Sequence, residues 1–375
     1  MEPGKTKMKI ALITINRSAN YGAVLQAYAT QKVLSQYGDV KIIDYHNKHL
    51  AHHLDLIRFS PDVHGILKFL HDMLRFPFRW IAVSRFRKFF DQYLKLTRRY
   101  TEDQLYRGEA GVFDVYVCGS DQIWNPDIVT ENARIDPIFF LDFAPKDSEK
   151  ISYASSIGHH HFSPSEQIEV KKYLENFSMV STREADGLEK LKGLYRSGHI
   201  HHVLDPTMLL SKKDWKEHFD LHENLSNEKY ILVYSVPRTE LIREVINYVS
   251  KITGYRIVTI DQMLFPVGKT DKHIRTAGPV EFVDAFLNAT FVITDSFHGT
   301  CFAVNFEKPF LSISAGKRST RIRSLLAQLD LSSRLISSSH DLTEALIELD
   351  YEKPSVELNK NRQRCLNLLE KAFSV

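Results

Sequence analysis

The chain has 375 residues, 43% hydrophobic and 25% charged, with a formal net charge of only +3. That length exceeds what one hydrophobic core usually supports, so two domains are expected, and so small a charge gives no reason to expect a nucleic-acid partner. Cys118, Cys301 and Cys365 lie far apart without C-x-x-C spacing, which points to a reducing compartment and no structural zinc.

The first apolar run, KIALITI, reads as a buried strand and is followed at once by Asn16, Arg17 and Ser18, so it is not a signal peptide. No stretch approaches the roughly 18 uninterrupted apolar residues of a spanning helix, and a cytoplasmic protein is expected. AVLQAYATQKVLSQYG then places Val24, Ala27, Tyr28, Gln31 and Leu34 at helical spacing. The turn between strand and helix holds Asn20, Tyr21 and Gly22. Unpaired amides at such a helix start bind phosphates or carboxylates, and Gly22 would let a ligand approach the backbone. The alternative is that Asn20 caps the helix and Gly22 merely fits the turn.

VKIIDY is the next strand. Residues 56–99 then carry Phe, Leu, Ile and Trp at helical spacing among ten Lys or Arg and three Asp, a local charge of 10 − 3 = +7. A basic, aromatic, amphipathic excursion can lie on an anionic membrane surface. It can equally be a helical hairpin packed on its own domain, and Pro61 and Pro77, expected to break it into short helices, favour packing.

FDVYVCGS, KISYASSI, MVSTRE and HHVLDPTML read as further strands entering polar loops, and KYILVYSV, YRIVTI, FVITDS and PFLSIS repeat the pattern with helices between. The alternation gives an α/β fold with parallel sheets. The charged stretch 211–228 sets a boundary near residue 215. The expected domains are 8–215, which includes the excursion 56–99, and 216–375, which ends in a helix over 355–373. Two Rossmann-like domains would face one another across a cleft at the carboxyl ends of their strands, where ligands of open sheets bind.

Polar clusters fall at four strand ends. Besides Asn20, Tyr21 and Gly22 there is CGSDQIWNP, where Ser120, Asp121 and Asn125 could hold a hydroxylated substrate and Trp124 could stack on a sugar face; a Ser or Asp helix cap is the competing reading. SYASSIG and VSTREADG supply Arg183, able to clamp a carboxylate or phosphate with two parallel hydrogen bonds or to pair with the neighbouring acid. In FVITDSFHGTCFAV, Ser296, His298, Gly299 and Thr300 open a helix, and histidine is the side-chain type most often used for proton transfer. Downstream, SAGKRSTRIRSLL gathers Lys317, Arg318 and Arg321 at a helix start, a candidate site for a small multiply charged anion.

Together NYGAVLQAYA, VYVCGSDQIWN, SYASSIG, VSTREADG, LDPTMLL and TDSFHGTCFAVNFEKPF resemble the polysaccharide pyruvyl transferase family in order and spacing, over about residues 9–313. The resemblance implies a glycosyltransferase-B-like pair of Rossmann-type domains. It implies a reaction that moves the enolpyruvyl carbons of phosphoenolpyruvate onto a sugar, such as galactose, as a pyruvate ketal. Surface-polysaccharide precursors, some lipid-linked, are the usual acceptors. His298 matches the family's active-site His, for general acid/base work, and Arg183 matches an Arg near the donor. Asp121 is the candidate for activating a sugar hydroxyl. Another branch of the family has Arg two residues before the His where this chain has Ser296, so Lys317, Arg318 and Arg321 are assigned the missing positive charge. Asn20, Tyr21, Gly22, Ser120, Trp124 and Asn125 fall to the acceptor side. No metal or cofactor beyond phosphoenolpyruvate as co-substrate is implied. Two other readings stay open: a nucleotide-sugar glycosyltransferase of the same architecture, and a sugar-binding relative without catalysis. Peripheral contact of 56–99 with the inner face of the cytoplasmic membrane is a further expectation.

Overall fold

The computed structural model describes residues 7–50, 54–56, 63–195, 198–223 and 228–374, leaving aside the side chains of 63–71, 317 and 318. In chain order the elements are β1 Lys9–Ile13, α1 Tyr21–Leu34, β2 Asp39–Tyr45, α2 Val63–Tyr93, β3 Leu96–Tyr100, α3 Glu102–Tyr106, β4 Val115–Cys118, α4 Pro126–Val129, β5 Glu149–Ser152, α5 Pro164–Leu174, β6 Val180–Thr182, α6 Ala185–Leu191 and β7 Ile200–His202. There follow α7 Lys212–Phe219, β8 Tyr230–Tyr234, α8 Glu240–Thr253, β9 Arg256–Ile260, β10 Lys272–Ile274, α9 Pro279–Asn288, β11 Phe291–Thr294, α10 Phe297–Asn305, β12 Phe310–Ile313, α11 Thr320–Gln328, β13 Leu335–Ile336 and α12 Glu352–Phe373.

The chain divides into two compact units, one of Met1–His53, Tyr93–Leu209 and Asn359–Val375, the other of Leu54–Gln92 and Leu210–Leu358. The division falls at 209/210, close to the expected boundary, but two segments change sides. Nearly all of α2 belongs with the second unit, and most of α12 with the first. Sequence separation alone suggested the opposite assignment, because both helices are chain-adjacent to the domain they leave.

In the first unit the sheet runs β3-β2-β1-β4-β5, every pair parallel, and single bridges Ile151↔Met179 and Ser155↔Thr182 carry it on to the β6-β7 pair. In the second it runs β10-β9-β8-β11-β12-β13, again parallel throughout. Both follow the Rossmann order, in which strands are added outward on each side of the first. Strands covered on both faces must be apolar throughout, which is why VYVC, FVIT and FLSI are buried at every position. Each unit has its own core, around Ile13, Tyr116, Trp124 and Phe140 in the first and Ile231, Val245, Ile293 and Leu311 in the second. Burial of one such side chain contributes roughly 1.5–3 kcal/mol.

Pro77 does not break α2, which is continuous over 31 residues. Proline removes one backbone donor and crowds the carbonyl four residues earlier, at about 3 kcal/mol. Here Pro77 lies on the exposed side, where water can satisfy that carbonyl, and the opposite side buries Ala82, Val83, Phe86, Phe89 and Phe90. Packing of that face outweighs the local penalty.

Asp136 ties the end of β2 to the turn after α4. Its carboxylate accepts from Tyr45 Oη (3.2 Å), Asn47 Nδ2 (3.0 Å) and the Ile138 amide (3.1 Å). Burial nevertheless pushes this carboxyl up from 3.8 to about 6, the hydrogen bonds only partly offsetting it. A raised carboxyl favours folding below its unfolded value, and that contribution is lost as pH rises through the folded one, here between about pH 4 and 6 and by roughly 3 kcal/mol. Asp136→Asn should flatten the stability profile across that window, as chemical denaturation at a series of pH values would show. Parallel profiles for wild type and variant would mean the group titrates normally.

Candidate functional site

In both sheets the chain leaves the two central strands in opposite directions, and the space between the two departing loops is where open α/β sheets bind ligands. In the first unit these loops follow β1 and β4; in the second they follow β8 and β11. The sequence clusters around Asn20, Asp121 and His298 therefore lie at the two topological switch points.

In the first unit the loops are locked together. Thr14 Oγ1 donates to the Ser120 carbonyl (2.7 Å), and Gln26 Nε2 reaches back to Thr14 Oγ1 (2.9 Å) and the Ala23 carbonyl (2.9 Å). Asn20 caps α1, accepting from the amides of Gly22 (3.0 Å) and Ala23 (3.4 Å), and Tyr21 and Gly22 are buried in its first turn. The capping reading of the opening turn is the one realised, because Asn20 occupies the amides a ligand would need.

Arg183 is the hub of this end of the sheet. Its Nη1 bonds Asp205 Oδ2 (2.9 Å) and Ser120 Oγ (3.2 Å), its Nη2 bonds Asp121 Oδ1 (3.2 Å), and Glu184 Oε2 lies 3.9 Å from Nε. Burial alone would lower its pKa, but the carboxylates of Asp121, Asp205 and Glu184 more than reverse this and hold the guanidinium charged. Arg183 is thus a positioning residue rather than a clamp for a donor anion. Its side chain and that of Asp205 are fully buried, whereas Asp121 is 13% exposed. Asp121 is also held at φ +76°, left-handed backbone that a residue with a side chain adopts only under constraint. Within this cluster it is the carboxylate turned furthest toward solvent.

The other assigned residues of the loop are structural. Trp124 is core: its Nε1 donates to the Phe139 carbonyl (3.0 Å) and its ring stacks on Phe140 at 5.0 Å. Ser120 donates to Asp205 Oδ2 (3.0 Å), and buried Asn125 caps α4 while donating to Gln122 Oε1 (2.9 Å). Glu184 gathers the SSIG loop, accepting from Ser156 Oγ and the Ile157 amide at 2.9 Å and the Gly158 amide at 3.1 Å. Thr14, Gln26 and Asp205 escaped sequence reasoning, whereas Glu184 was visible as the acid beside Arg183. The signal for Thr14 and Asp205 was their place at the end of an apolar run; Gln26, inside α1, gave none.

The second unit repeats the device. Thr294 Oγ1 donates to the Tyr234 carbonyl (2.7 Å), and Asp295 accepts from Ser235 Oγ (2.6 Å) and the amides of Val236 (2.6 Å) and Arg238 (3.0 Å). Burial raises the Asp295 carboxyl, and these bonds restrain the rise. Ser296 caps α10, accepting from the Gly299 amide, and so His298 stands in the first helical turn. A Cβ on Gly299 would fall 2.3 Å from Thr294 Oγ1, so glycine is what lets α10 start against β11. Thr300 Oγ1 lies 3.0 Å from the Ser296 carbonyl and 2.8 Å from Ser312 Oγ, so it braces the helix rather than facing a donor. His298 itself is only 7% exposed, its ring 5.3 Å from that of Phe297. The Arg321 guanidinium lies 5.5 Å from the Phe297 ring on the same turn, which brings one of the three assigned cations to the start of α10. The side chains of Lys317 and Arg318 lie outside the described residues.

A chain of two Rossmann-like α/β units with loop-built switch points is of the glycosyltransferase-B-like class. The sequence profile for polysaccharide pyruvyl transferase matches residues 20–316. The chain belongs to the polysaccharide pyruvyl transferase family and is a transferase. No curated protein matches it. Among solved structures it is similar to a protein provisionally assigned as UDP-N-acetylglucosamine 2-epimerase from Listeria monocytogenes, at 12% identity and TM-score 0.54, covering 98% of this chain and 97% of that one. It is also similar to S. aureus MnaA in a structure with UDP, at 13% identity and TM-score 0.51, covering 98% and 96%. At these identities the likeness is one of fold.

Two substitutions separate structure from binding. Arg183→Ala strands three carboxylates and should lower unfolding free energy by about 3–5 kcal/mol, with Arg183→Lys in between; thermal unfolding would check this, and an unchanged midpoint with a raised KM for the pyruvyl donor would return Arg183 to donor binding. Trp124→Ala should cost about 3–5 kcal/mol, while Trp124→Phe should lose roughly 1 kcal/mol and leave the KM for acceptor unchanged. A raised acceptor KM in a stable Trp124→Phe protein would restore the sugar-stacking role.

Proposed function

We propose that the protein is a ketal pyruvyltransferase, moving the enolpyruvyl unit of phosphoenolpyruvate onto a hexose, galactose by preference, of a surface-polysaccharide precursor and releasing phosphate. The observation that supports this reading best is His298 at the buried start of α10, within a family match that covers residues 20–316. The work is assigned to the cytoplasm, with the acceptor carried on a lipid.

The chemistry delivers two protons, one to the methylene carbon and one to the departing phosphate, and removes two from the sugar hydroxyls. Protonation of the methylene carbon of phosphoenolpyruvate leaves an oxocarbenium-like centre at the carbon bearing the phosphate oxygen. One sugar hydroxyl adds there, phosphate departs taking a proton, and a second hydroxyl closes the ketal. His298 is the acid for the first step. Its nearly dry setting suits the task, since a low local dielectric strengthens its interaction with a trianionic substrate. Arg321, beside Phe297, supplies positive charge to that substrate. Asp121 is the base for a sugar hydroxyl. Arg183 and Gln122 hold one of its oxygens, through Nη2 at 3.2 Å and the amide at 2.9 Å, and so fix its orientation.

Incubation with phosphoenolpyruvate and soluble galactosides should release phosphate and yield a glycan carrying a pyruvate ketal, seen by mass spectrometry. His298→Ala should lower kcat by about 10²–10⁴-fold with unfolding unchanged. A folded His298→Ala protein that releases phosphate at the wild-type rate would overturn the assignment, as would turnover of a nucleotide sugar in place of phosphoenolpyruvate.

A further inference from the structure

Helix α2 carries its apolar residues on opposite sides in successive stretches, outward over 73–81 and inward over 82–90. At 100° per residue, Asp72, Arg75, Ala82, Val83, Phe86, Phe89 and Phe90 fall on one side, and all are buried. Met73, Leu74, Pro77, Phe78, Trp80 and Ile81 fall on the other, and all are exposed, Leu74 at 66% and Trp80 at 54%. No polar residue interrupts that ridge for two turns, about 12 Å of helix. One turn on, the same stripe becomes Ser84, Arg87, Lys88, Asp91 and Gln92, with exposed Arg87 and Lys88. Arg275 adds a cation against the ridge, its guanidinium 3.9 Å from the Phe78 ring. A water-facing helix stripe is ordinarily polar, and a contiguous exposed apolar patch marks a surface that another phase or molecule covers.

Charge decides what covers it. The segment 56–99 carries +7, so the remainder of the chain carries 3 − 7 = −4. On the stripe that continues the ridge Arg87 and Lys88 outnumber Asp91, and Arg275 lies against Phe78, while the chain outside 56–99 is net negative. A second copy would bring like charge to like at a symmetric α2 contact, and a neutral apolar partner would gain nothing from the cations. A Trp-bearing apolar ridge followed by Arg and Lys matches the acyl-headgroup boundary of an anionic leaflet, the ridge entering the acyl edge and the cations meeting the lipid phosphates.

The geometry points to the exposed face of α2, from Met73 to Lys88, as a docking surface for an anionic lipid bilayer. This goes beyond the transfer reaction and stands whether or not phosphoenolpyruvate is the donor. It gives the surface one function, which is to keep the enzyme at the plane in which a lipid-carried acceptor lies.

The protein carries its own reporter, because Trp124 and Trp215 are buried and Trp80 is the exposed third tryptophan. Vesicles of phosphatidylcholine containing one-third phosphatidylglycerol should shift Trp80 emission to the blue, protect it from iodide and cosediment the protein, whereas pure phosphatidylcholine should do so weakly. Arg87→Glu with Lys88→Glu should weaken binding to the anionic vesicles at least about tenfold at low salt. Leu74→Ser with Ile81→Ser should abolish it at any salt while leaving the unfolding midpoint in place. No emission shift with anionic vesicles, or binding indifferent to all four substitutions, would overturn the inference. So would a dimer, seen by sedimentation, that the serine variants dissolve in the absence of lipid binding. Turnover of soluble galactosides reads the reaction independently of these measurements.

Discussion

The carboxyl end of the first sheet depends on one buried cation. Removing a guanidinium from water is expensive, and a single buried ion pair seldom recovers that loss. Arg183 recovers it by meeting Asp205 and Asp121 in hydrogen bonds, with Glu184 close to Nε and Ser120 filling the remaining reach of Nη1. The cluster draws on three segments: Ser120 and Asp121 follow β4, Arg183 and Glu184 follow β6, and Asp205 follows β7. The charge cannot be satisfied unless all three loops take their native courses together. That requirement holds Asp121 in left-handed backbone, a conformation aspartate tolerates better than most residues with a side chain.

The second unit reaches the same end with a carboxylate. Asp295 holds the loop after β8 through two amides and a hydroxyl, and Thr294 bonds the last carbonyl of β8. Thr14 makes the equivalent bond in the first unit, to the carbonyl of Ser120. In both, a threonine at the end of one central strand ties it to the other, which closes the switch point on the core side and leaves the loop tips to do chemistry. The surroundings then differ. Asp121 is paired with the Arg183 guanidinium, while His298 is nearly buried with the Phe297 ring 5.3 Å away, so one position favours a carboxylate anion and the other a low dielectric.

The sheets were legible because parallel strands buried on both faces leave uninterrupted apolar runs, and VYVC, FVIT and FLSI are such runs. β3, β10 and β13 were not, being edge strands without that pattern: LTRRY carries two charges in five residues, and β13 is two residues long. Strand ends were legible as places where polar residues gather. What each polar residue does there was not, because that depends on partners far along the chain. Arg183 reads as an anion clamp until Asp205, 22 positions on, is seen beside it. Trp124 reads as a sugar platform until the short 3₁₀ turn Pro137–Phe140 slides under its ring. Asn20 was correctly seen as a possible cap, since capping is decided within three residues.

The same distinction explains α2. Periodicity detects helical spacing but not which side of the helix is covered, so a helix whose apolar side switches part-way along reads as helical while its exposed ridge stays hidden. Pro77 then looked like a break, as did Pro61, which lies outside the described residues. Packing of Phe86, Phe89 and Phe90 supplies the continuity that propensity denies at Pro77. Once that face is fixed against the second unit, the ridge from Met73 to Ile81 has no freedom to turn inward. Its exposure is a consequence of burying the other side, and a chain that merely needed a surface helix would have met it with polar residues at no loss to the core.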